Sequence, residues 1–193
     1  MPLKAYFFKR YSFLLLCILS SLGLYAQELG RPFIQNFSPS DYNAYPQNWS
    51  VVQGANGLMY IGNNFGVLEF DGETWRLIPI SNNSVARSMA SYQNNIYIGA
   101  QGEFGYLKPN AVGTLEYFSL SQNLPDTLKS QFSNVWETHS LKDKIYFRTD
   151  RYIFIWDGKQ LDWVKSKGPG GFHRSYVVNE ELWVIDTDWG LQN

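Results

Sequence analysis

The chain has 193 residues, 17% aromatic and 17% charged, with a formal net charge of −1. That is the size of one ordinary domain or of part of a larger one, and apolar and aromatic residues are too plentiful for a disordered chain. The near-neutral balance, with no Lys/Arg cluster after the N-terminus, excludes a nucleic-acid reader, which would carry a basic face.

The first element is a leader. Lys4, Lys9 and Arg10 precede an apolar run at 11–24 (YSFLLLCILSSLGL), followed by YAQE. A positive segment, a short apolar segment and a small residue before a polar start make a secretory signal peptide over 1–26, cleaved after Ala26. The run is too short for a comfortable membrane span; an uncleaved anchor is the alternative. Cys17, the only cysteine, follows Leu16 within the apolar run, which argues against lipidation. Cleavage would remove three of 16 basic residues, leaving 13 against 17 acidic ones, a net of −4. The mature chain would then have no thiol chemistry.

After a lead-in segment at 27–47, the chain repeats. In the first unit, strands are expected at 48–53 (NWSVVQ), 58–62 (LMYIG), 67–70 (VLEF) and 74–78 (TWRLI). Asn-Gly, Gly-rich and Asp-Gly turns separate them, and such turns are the strongest short hairpin signals. The second unit reads as strands at 85–90, 95–99, 106–107 and 115–120, and the third at 133–138, 144–148, 152–156 and 161–164. The fourth opens at 174–178 and 181–185 and continues into a turn at 186–190. Tyr60, Tyr97, Tyr146 and Trp183 hold the same place in the four units, at steps of 37, 49 and 37 residues. Four short strands per period of roughly 40 residues are the pattern of propeller blades. The long step contains an insertion at 122–131, with Pro125, expected as a loop on one rim.

The fold class expected is therefore all-β: a β-propeller of four-stranded antiparallel blades at about 48–80, 85–120 and 133–165, with a truncated fourth at 172–193. Some four to eight blades are typical of a closed ring, so about three complete blades and the start of a fourth give an incomplete one. The chain is accordingly expected to be the front of a longer protein. A short secreted protein that closes by self-association is the alternative.

The first unit, with Gly57-Leu58, Tyr60-Ile61-Gly62, Gly66-Val67 and Phe70-Asp71-Gly72 before Trp75, resembles the two-component regulator propeller repeats. The second unit keeps Tyr97-Ile98-Gly99 and Gly105 but has Lys108-Pro109-Asn110 in place of the Asp-Gly turn. The third keeps Trp156-Asp157-Gly158 but has Arg148 where the strand-ending glycine belongs. The resemblance covers about 30–190. It implies the periplasmic sensor of a large signalling protein of the Bacteroidetes type. Later blades, a β-sandwich, a membrane helix and a cytoplasmic output module would follow.

Chemistry is sparse. His139 and His173 each sit near a strand end without a metal-ligand partner at fitting spacing. Asp186 and Asp188 lack the Gly and Glu spacing of a calcium loop. Gly99, Gly102 and Gly105 join two strands and open no helix, so they are not a phosphate loop. The stretch 167–171 (KGPGG) reads as a flexible inter-blade loop. The seven tryptophans, Trp49 and Trp136 among them, are read as packing between blades. Ligand contact is assigned to Tyr152, Trp189 and His173, beside turns or loops. No catalytic residue, metal or cofactor is expected.

The leading reading is an exported, periplasmic ligand-sensing domain, non-catalytic and held at the inner membrane. Its partners are an extracytoplasmic ligand and downstream blades of the same protein. By family analogy the ligand is a glycan fragment, and a homodimer stays open. An enzyme on a propeller scaffold, such as a polysaccharide lyase or glycosidase, and a secreted adhesion propeller are the alternatives.

Overall fold

The computed structural model describes Gly30 and residues 34–193. The expected signal peptide lies outside the described residues, as does part of the lead-in segment. Phe37–Asn193 forms one compact unit, and every strand among the described residues belongs to it.

Three four-stranded antiparallel sheets and one three-stranded sheet succeed one another along the chain, each built from consecutive strands. The first holds β1 (Asn48–Gln53), β2 (Met59–Asn63), β3 (Gly66–Phe70) and β4 (Trp75–Ile78). The second holds β5 (Ala86–Tyr92), β6 (Asn95–Ala100), β7 (Phe104–Pro109) and β8 (Leu115–Ser119). The third holds β9 (Glu137–Leu141), β10 (Lys144–Arg148), β11 (Tyr152–Trp156) and β12 (Leu161–Lys165). The last holds β13 (Phe172–Val178), β14 (Glu181–Asp186) and β15 (Gly190–Gln192). First strands of consecutive sheets lie against one another, β1 on β5, β5 on β9 and β9 on β13. This all-β arrangement of side-by-side meanders is propeller-like.

Two expectations need correction. The stretch 133–136 is not part of the third sheet's first strand, which starts at Glu137. The main chain there pairs sideways instead: the Val135 amide donates to the Ala100 carbonyl at 3.0 Å, and Asn134 bridges Gln101. The insertion is more than a rim loop. It forms a 3-10 turn at Ser121–Asn123 and a one-turn helix at Asp126–Lys129. Leu124 is buried in the core and Leu128 packs against it.

In the three four-stranded sheets the turn between the third and fourth strands has one mechanism. Asp71 Oδ1 accepts from the Glu73 and Thr74 amides at 2.8 and 2.7 Å. Asp157 Oδ1 does the same for Lys159 and Gln160 at 2.8 and 2.7 Å. Asn110, which interrupts the sequence pattern, accepts from Val112 and Thr114 at 3.0 Å each. A short side-chain oxygen bonding the backbone two or more residues on mimics a backbone turn, so the amide serves as well as the carboxylate.

Two apolar clusters fill the gaps between sheets. Tyr60, Val67 and Ile78 meet Met89, Ile98 and Leu107 between the first and second. Tyr97, Phe104 and Phe132 meet Phe147 and Phe154 between the second and third, with Phe104 stacked on Phe154 at 4.8 Å between centroids. A third aromatic group ties the preceding chain to β3 and β4. Phe37 sits 5.2 Å and Tyr42, in the short helix α1 (Pro39–Tyr42), 5.5 Å from Trp75, which stacks on Phe70 at 4.2 Å.

Candidate binding site

The first strands carry a repeated irregularity. In β1 the register shifts between Asn48 and Ser50, in β5 between Ala86 and Ser88, and in β13 between Phe172 and Arg174. Each is a one-residue bulge, and bulges re-aim the extra side chain. The bulged residues are Trp49, Arg87 and His173. Trp136 takes the corresponding place just ahead of the Glu137–Arg148 pair, its amide donating to the Arg148 carbonyl at 2.9 Å. The row Trp49, Arg87, Trp136, His173 thus comes from equivalent positions on four consecutive first strands.

Three members touch. The Arg87 guanidinium carbon lies 4.3 Å from the Trp49 ring centroid and 4.8 Å from that of Trp136, which is cation–π range. Arg87 Nε donates to Asn134 Oδ1 at 2.7 Å, and Trp49 Nε1 donates to Asn64 Oδ1 at 2.6 Å. Trp49 is 40% and Trp136 38% exposed, while Arg87 is half-buried between them. Two indoles and a cation thus lie together at a solvent-facing edge, residue types that are enriched at binding hot spots.

A polar network lies close by in sequence, at the junction of β9 and β13. Arg148 and Glu137 form an ion pair at 3.1 Å, with Arg148 almost fully buried. Glu137 also accepts from the Ser175 amide at 2.6 Å, the Ser175 hydroxyl at 2.7 Å and Arg174 at 3.2 Å. Burial pushes Glu137 up, but the Ser175 hydroxyl, the Arg148 charge and the Ser175 amide outweigh it and hold its carboxyl below the usual range. His139 Nε2 lies 2.8 Å from Ser175 Oγ. The single hydroxyl proton is spent on Glu137, so the imidazole must donate here. Burial holds His139 below its ordinary value.

At the two preceding junctions the position of Arg148 is a glycine. A Cβ on Gly62 would lie 2.7 Å from the Ala86 carbonyl oxygen, and one on Gly99 would collide with Val135 Cγ1. The departure at Arg148 therefore replaces close main-chain approach with a buried ion pair.

The structure does not bring the three sequence-assigned ligand residues together. Tyr152 is 3% exposed; it stacks on Phe154 in the second core cluster, and its hydroxyl donates to Gln131 Oε1 at 2.5 Å. Its ring meets core rather than solvent. Trp189 is exposed on the β14–β15 turn, whose amides at Asp188 and Trp189 are held by Asp186 Oδ1 at 2.9 and 3.2 Å. His173 is exposed and falls on the bulge row. The loop at 167–171 is pinned, not free: Arg151 Nη1 donates to the Gly168 and Pro169 carbonyls at 2.9 and 2.6 Å, and the Gly170 amide donates to Asp188. Trp49 and Trp136, read from the sequence as packing between blades, are part-exposed here, and Arg87 carries no sequence expectation. A signal was present: they and His173 stand 10 or 11 residues ahead of Tyr60, Tyr97, Tyr146 and Trp183.

No group of three or more His, Cys, Asp or Glu side chains among the described residues could hold a metal ion. Nor is any described helix long and apolar enough to cross a membrane.

No protein-family model and no curated protein matches the chain. Among the solved structures that do are two from B. thetaiotaomicron. Both are of the extracellular domain of BT4673, assigned as a hybrid two component system in one and a one component system in the other. The likeness is one of fold. The first has a TM-score of 0.57 at 12% identity over 80% of this chain, the second 0.57 at 13% over 81%. This chain spans only 22 to 23% of the length of those domains.

Proposed function

We propose that the chain is part of an extracytoplasmic ligand-sensing propeller of a signal-transduction protein, non-catalytic in itself. The supporting observation is the fold shared with an extracellular domain of a two-component system over four fifths of the chain. The bulge row adds a surface suited to recognition. Two carboxylates at the register of that row are committed to structure: Glu137, next to Trp136, to Arg148 and Ser175, and Asp186, paired with Phe172, to Ser166 and its own turn. The periplasmic location, the inner-membrane anchor and the output module belong to the same proposal. So do further blades, which would cover the exposed Tyr176, Val177, Val178 and Leu191 of the fourth sheet. His173 and Trp189 are retained as ligand contacts.

The test is a thermal-shift screen of the full-length protein against neutral and acidic oligosaccharides, with product analysis of the same mixtures. A ligand that binds only the native state raises the melting temperature. Stabilisation without turnover is expected. Turnover would overturn the sensor reading in favour of a propeller-scaffold enzyme.

A further inference from the structure

The geometry points to Arg87 as the anchor of an anion site: we propose that the Trp49–Arg87–Trp136 clamp binds a carboxylate or sulfate group carried by the ligand. This rests on the sensor reading only in taking the bulge row as the ligand-facing surface. Five arginines lie among the described residues. Arg76, Arg148 and Arg174 are each paired with a carboxylate, and Arg151 donates to two backbone carbonyls. Arg87 has neither. Its one polar partner is the Asn134 side-chain oxygen, on Nε. Nη1 is buried with no hydrogen-bond partner.

An unpartnered buried donor is costly, and leaving a guanidinium half-desolvated without a counter-charge adds to that. The two indoles hold the charged plane by cation–π contact. They fix its orientation but accept none of its in-plane hydrogen bonds. What such a guanidinium lacks is an oxyanion, which it takes through short charge-assisted hydrogen bonds. The bulges in β1 and β5 deliver Trp49 and Arg87, and Trp136 enters from the next sheet, so the clamp spans three sheets. His173 follows in the same row on the fourth, as a second contact for a longer ligand.

The experiment is a titration of the ¹⁵N-labelled wild-type protein with sulfate, glucuronate and benzoate, and with glucose as the neutral control, followed at the Arg87 Nε–H and the Trp49 and Trp136 indole N–H signals. Expected is saturable movement of these signals with at least one anion and none with glucose. Arg87→Gln should weaken that binding at least 10-fold, and Arg87→Lys, which keeps charge without the fork, by less. Preference for glucuronate, benzoate or sulfate would tell a saccharide acid from an aromatic acid or a free anion. Anions that leave the three signals unmoved in the wild type, or bind Arg87→Gln as tightly, would overturn the proposal while the sensor reading survived with another ligand. Anion binding in a protein that relays no signal would overturn the sensor reading and leave the clamp standing.

Discussion

Asp71 and Asn110 show how little a single position needs in order to serve its turn. Both oxygens receive two amides, so either side chain closes the turn, but the Asp71 carboxylate also accepts from the Thr74 hydroxyl at 2.6 Å. Asp71→Asn should melt moderately below wild type at pH 7 by circular dichroism, and Asp71→Ala lower still. The Thr74 hydroxyl, with the Thr74 and Glu73 amides, holds the Asp71 carboxyl at about 2. Its contribution is therefore present above the ordinary carboxylate value and lost as pH falls from near 4 towards 2; Asp71→Asn should lack this component of acid sensitivity. His139 works at higher pH. Its native value lies below the ordinary one of about 6.5 because burial disfavours the cation. The native state thus takes up the proton less readily than the unfolded chain, and stability drops as pH falls below roughly 6.5. Denaturant midpoints of wild type and His139→Gln between pH 7.5 and 5 should show a steeper decline in the wild type. Parallel declines would contradict this.

At the scale of elements, the junctions between sheets carry the specificity. Gly99 lies where Val135, Ser88 and Thr138 leave no room for a methyl group. Gly99→Ala should cost about 1–3 kcal/mol, the usual range for overpacking a filled core, measured by urea denaturation. Glu137→Ala leaves Arg148 buried without a counter-charge and should cost about 3–5 kcal/mol, whereas Glu137→Ala with Arg148→Ala should cost less than the sum of the single changes. Additive effects would show that the pair is not coupled.

The strands and their order were legible because one aromatic position recurs in each unit with turn residues around it, Asp71-Gly72 and Asp157-Gly158 each starting 11 residues after Tyr60 and Tyr146. The start of β9 was not. Residues 133–136 alternate like a strand, but their main chain is taken by the neighbouring sheet through Ala100 and Gln101, a choice made by tertiary packing. The candidate site was hidden for a related reason. A bulge adds one residue and reverses which side the next side chain faces, so simple alternation hides Arg87 and Trp49. Tyr152 misled in the opposite sense, since proximity to a turn does not decide burial. His173 fell on the row, and only the register relates it to the other three.

As a whole molecule, this propeller-like array is proposed to face the outside of the cell and to read a ligand there. The solved extracellular domains share its fold but extend over four times its span or more, so the array is proposed to work as one sector of a larger sensor. Cys17 is the sole cysteine and would leave with the signal peptide. That makes location directly measurable. Val112 is highly exposed at the β7–β8 turn, and Val112→Cys in the full-length protein places a reporter thiol on this array, read as the labelling gained over the wild-type protein. Treatment of intact cells, their outer envelope permeabilised, with a maleimide that cannot cross the inner membrane should label this cysteine fully. Protection until the inner membrane is broken would place the array in the cytoplasm and contradict the sensor account.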